Sequence, residues 1–172
     1  PTILRRYTIT ESKAWTVYKT KWEASIDIED VEEYSFISVD ESKTVLYVRQ
    51  NDKKLGMDFI YCFDSETGKL IYKTPLIIPD TKENVKFFSG YYDVATKMLI
   101  VGGNSFDGTL KEKKIMMKNI ALLIIDESGN TTKTQNITIP DYDVKEEKGY
   151  DFKRKMVFID SIAKNKAGNY IF

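Results

Sequence analysis

An internal repeat limits the fold of this chain more than any other feature of its sequence. Residues 40–51, Asp-Glu-Ser-Lys-Thr-Val-Leu-Tyr-Val-Arg-Gln-Asn, align without a gap to residues 93–104, Asp-Val-Ala-Thr-Lys-Met-Leu-Ile-Val-Gly-Gly-Asn, at an offset of 53. The pairs Asp40/Asp93, Leu46/Leu99, Val48/Val101 and Asn51/Asn104 are identical, and apolar residues also coincide at Val45/Met98 and Tyr47/Ile100. Each copy follows an apolar segment, 34–39 or 87–92, across a short polar turn of the kind a hairpin needs. Downstream, Phe59–Phe63 and the turn Asp64-Ser-Glu-Thr-Gly68 correspond to Ala121–Ile125 and Asp126-Glu-Ser-Gly129. Both turns end in glycine, which accepts the positive φ of a tight reversal. Both units then alternate and close in Ile-Pro-Asp, at 78–80 and 139–141. Proline ends a ladder there because it has no N–H to donate.

Each unit therefore reads as four short antiparallel strands. The first spans 31–80, and the second spans 81–141 with an insertion at 105–118. A third starts within 142–172, with a strand over 156–163, a turn at 164–169 and a second strand entered at Tyr170. Residues 1–30 supply the last strand or strands of a preceding unit, or an N-terminal extension, because Tyr18-Lys19-Thr20 echoes Tyr72-Lys73-Thr74. Trp15, Tyr18, Trp22 and Ile26 also lie near helical spacing, so a short amphipathic helix competes for 12–26. The β-branched Thr16, Val17 and Thr20 favour the strand. Four-stranded units at this period are the signature of propeller blades, since one small twisted sheet cannot cover both of its own faces. The expected fold is all-β: a single structural domain forming a partial β-propeller of four-stranded antiparallel blades. Propellers have about 4–8 blades, so roughly three units point to a segment of a longer propeller polypeptide.

Two short stretches resemble known blade families. Phe63-Asp64-Ser65-Glu66-Thr67-Gly68-Lys69-Leu70-Ile71-Tyr72 is similar to the Asp-x-x-Thr-Gly-Lys turn of quinoprotein-type (PQQ-like) propeller repeats, with Tyr72 where that family usually has tryptophan. The second unit reads Asp126-Glu-Ser-Gly-Asn-Thr there, without the Thr-Gly pair. Met98-Leu99-Ile100-Val101-Gly102-Gly103 resembles the strand and double glycine of kelch blades, without their tryptophan. These resemblances imply blade architecture. Neither carries a quinone-binding residue or a family activity to this chain.

Composition narrows the chemistry. The chain has no histidine, so Ser-His-Asp and Cys-His nucleophilic sites, His-ligated zinc and facial-triad iron are excluded for these residues. A single cysteine, Cys62, in an apolar run, reads as a small core residue, and it forms no intrachain disulfide or CxxC site. With 26 basic and 26 acidic side chains, no field favours nucleic acid or an anionic membrane. The longest apolar run, Ile120–Ile125, is far short of the ~20 residues of a spanning helix. Gly102–Gly108 has neither the GxxxxGK[ST] nor the GxGxxG form of a phosphate cradle. Asp52, Asp58 and Asp107 match no EF-type calcium spacing. No catalytic residue, metal ligand or cofactor is assigned. The mixed-sign run 141–155 reads as an exposed connection, and Asn130 and Asn136 open N-glycosylation sequons.

Function is expected on loops. The longer connections 50–57, 77–86, 103–118 and 140–155 fall at one end of the units, and the tight turns 40–43, 64–68 and 126–129 at the other. The binding candidates on the long-loop face are Asn51, Asn104, Phe106, Asp107 and Lys111. The expected role is a non-enzymatic binding or scaffolding module that contacts a protein or glycan. The alternatives are a carbohydrate-active enzyme using paired carboxylates, and an all-β subunit that pairs or self-associates through exposed blade edges. The start at Pro1 without an initiator methionine points to export or the periplasm.

Overall fold

The computed structural model describes residues 2–11, 16–27, 31–50, 57–106, 117–138, 159 and 161–171. Among these there is no helix, and none is long and apolar enough to cross a membrane. The chain opens with an antiparallel ribbon, β1 (Thr2–Glu11) and β2 (Thr16–Ile26). Strand thus prevails over helix at 16–26, in line with the β-branched content of that stretch. A four-stranded antiparallel sheet follows in sequence order: β3 (Val31–Val39), β4 (Lys43–Gln50), β5 (Asp58–Asp64) and β6 (Leu70–Pro75). A second repeats it: β7 (Asn84–Asp93), β8 (Met98–Phe106), β9 (Met117–Ile125) and β10 (Thr131–Thr138). A short ribbon, β11 (Ala163–Lys164) and β12 (Tyr170–Ile171), ends the described chain.

These layers stack face on face. One face of the first sheet, with Val45, Tyr47, Ile60, Cys62 and Tyr72, packs on Val85, Phe87, Leu99, Val101 and Leu123 of the second. Its other face, with Leu46, Val48, Phe59, Tyr61 and Phe63, packs on Ile26 of the N-terminal ribbon. The far face of the second sheet, with Ile100 and Leu122, meets Ile159 and Ile162. Strands β4 and β5 are therefore buried on both sides, which explains why they read as near-continuous apolar runs rather than as alternations. The repeat keeps its sidedness. Leu46 and Leu99 both face the preceding layer, and Tyr47 and Ile100 both face the following one. Cys62 is 1% exposed, a core thiol as expected, and burial pushes it up to about 11.

The turns follow the aspartates. Asp40 Oδ1 accepts the N–H groups of Ser42 and Lys43, each at 2.7 Å. Asp64 Oδ1 accepts from Glu66 and Thr67, and Asp126 Oδ1 from Ser128 and Asn130. A short acidic side chain satisfies the backbone donors that the reversal leaves unpaired.

One expectation about boundaries is corrected. The connection expected at 103–118 starts later: Gly103 and Asn104 lie inside β8 with Gly102, paired to both β7 and β9. The glycines serve packing: a methyl on Gly102 would stand 2.7 Å from Ile159 of the following layer.

Candidate functional site

Of the five residues selected from the sequence, two fall within the described strands. Asn51, Asp107 and Lys111 lie outside the described residues, and Phe106 is the last residue of β8. Asn104 is corrected from a loop-face binder to a fully buried strand residue, opposite Lys86 on one side and Ile120 on the other. Sheet pairing carries β8 two residues beyond it, and its side chain is 0% exposed.

Polar chemistry concentrates instead where one layer grips the next. At the long-loop end, Asp58 opens β5 and is 4% exposed. It accepts from the Tyr47 hydroxyl at 3.2 Å, Arg49 Nε at 3.1 Å and the Phe87 N–H of the second sheet at 2.8 Å. Arg49 turns its other arm to Glu33 at 2.7 Å. Burial raises the Asp58 pKa, while the Arg49 hydrogen bond and charge pull the other way. The Tyr47 ring stacks on Phe87 at 4.2 Å, so ring and carboxylate tie the same two sheets. With donors from three residues on its oxygens, Asp58 acts as a strut between the two sheets.

The tight-turn end carries two more grips. Asp93 closes β7 and accepts from Lys164 Nζ at 2.6 Å and the Tyr170 hydroxyl at 2.9 Å, both from the last ribbon. The Lys164 hydrogen bond holds its carboxyl well below the usual range. The second grip is aromatic. The Trp22 indole N–H donates to the Ser65 carbonyl at 2.9 Å, and its ring covers Gly68, φ +72°, where a methyl would stand 2.5 Å away. One layer on, the Tyr72 ring covers Gly129, φ +87°, with 2.6 Å to such a methyl. Thr74 Oγ1 donates to the Gly129 carbonyl at 2.7 Å. Sequence reasoning set Tyr18 beside Tyr72, and the structure sets Trp22 there instead. The usable signal was an aromatic on a unit's last strand together with a turn glycine in the next.

Asp27 forms a further link at the first interface, accepting from the Tyr61 hydroxyl at 2.5 Å and Lys73 Nζ at 3.1 Å. The Tyr61 hydrogen bond lowers its pKa. Among the described residues no group of three or more Cys, Asp or Glu is placed to hold a metal ion. The buried carboxylates Asp58 and Asp93 are each engaged by donors from a neighbouring layer.

The depressed Asp93 gives a pH prediction with a fixed sign. Its folded pKa lies below the ordinary 3.8, so its contribution is full above that value and fades as pH falls through and below it. Acidification from pH 4 towards pH 1 should progressively weaken the hold of β7 on β11–β12, seen by NMR as loss of the Ile162 and Tyr170 contacts. Asp93→Asn should leave that contact weak at every pH. A parent ribbon unchanged at low pH would contradict this assignment. Compared with family models, curated proteins and solved structures, the chain matches none of them.

Proposed function

We propose that the stacked sheets are successive blades of a β-propeller, and that this propeller is a non-enzymatic binding or scaffolding module. It contacts a protein or glycan partner through its long-loop face, the end at which β4, β6, β8 and β10 finish. The observation that carries this reading is the conserved sidedness of two four-stranded layers. Equivalent residues face the same neighbour in both, and the aromatic-on-glycine grip recurs from one interface to the next. A sandwich needs two sheets but no repeated interface. A propeller needs every interface to be alike.

The binding reading is supported by the division of labour between the two ends. Tight turns closed by aspartate-to-backbone hydrogen bonds occupy one end, and the long connections fall at the other, where a rigid scaffold offers adaptable contacts. The test is a screen of the chain on a glycan array and a displayed peptide library. It is repeated with Asn51→Ala, Phe106→Ala, Asp107→Ala and Lys111→Ala combined. Affinity should fall at least about tenfold in the variant, the loss expected of a hot-spot cluster. Undiminished binding by the variant, or hydrolysis of a glycan by the parent chain, overturns the reading.

A further inference from the structure

We draw no further inference here: the strongest candidate, the apolar groove that Ile3 and Leu4 of β1 line together with the exposed Tyr34 and Phe36 of β3, carries nothing because no observation in the structure shows what covers it.

Discussion

Asp58→Ala is expected to destabilise the chain by about 3–5 kcal/mol, the cost of stripping one partner from a buried charge pair. Three groups lose their acceptor together: the Arg49 guanidinium, the Tyr47 hydroxyl and the Phe87 N–H of the next sheet. Arg49 is only 17% exposed, and Glu33 alone would remain to it. Asp58→Asn keeps the shape and one acceptor oxygen, so it should cost less than the alanine variant. The pH dependence has the opposite sign to that of Asp93. Burial raises the folded pKa of Asp58 above the ordinary 3.8. Stability should therefore decline as pH rises from that value to the folded pKa, and above it the ionised carboxylate, paired with Arg49, is the inter-sheet strut. Urea titration followed by tryptophan emission, between pH 3 and pH 7, checks both effects. A loss under about 1 kcal/mol for Asp58→Ala would mean that the carboxylate is not the inter-sheet strut assigned to it.

The second large effect belongs to the turn glycines. Gly68→Ala should cost about 2–4 kcal/mol, combining a left-handed backbone with an overpacked contact. The new methyl would sit 2.5 Å from the Trp22 ring, and the φ of +72° is one that L-residues with a Cβ resist. Gly129→Ala should behave alike against Tyr72, 2.6 Å away. The cycle with Trp22→Ala separates the two causes. Removing the indole relieves the clash but not the backbone strain, so the double variant should be more stable than the sum of the singles by about 1–2 kcal/mol. The Gly68→Ala emission should also shift to the red as the ring, 8% exposed in the parent, is pushed towards water. Additive energies would contradict the docking of Trp22 on this turn.

Most of the strand plan was legible in the sequence because it is local. The offset of 53, the aspartate-led turns and the Ile-Pro-Asp stops mark where ribbons begin and end, and the two four-stranded sheets fall within the units read from them. The site was less legible. Asn104 matched Asn51 in the repeat and preceded a Gly- and Asp-containing stretch, which suggested a loop, yet pairing with Lys86 and Ile120 holds it in the ladder. Trp22 was obscured by the weak Tyr18 echo, because the residue that makes it equivalent to Tyr72 is a glycine some 46 positions further on. Nothing local to residues 12–26 carries that information.

The sequence by itself determined the tight turns, the four-strand count of each unit and the absence of imidazole chemistry, since these depend on neighbouring residues and on composition. Which face of each sheet meets which neighbour, which carboxylate bridges two layers and which apolar side chains stay uncovered were decided only by the tertiary structure. Those properties arise between residues 29 to 77 positions apart, where stacking energy rather than local preference selects the partner.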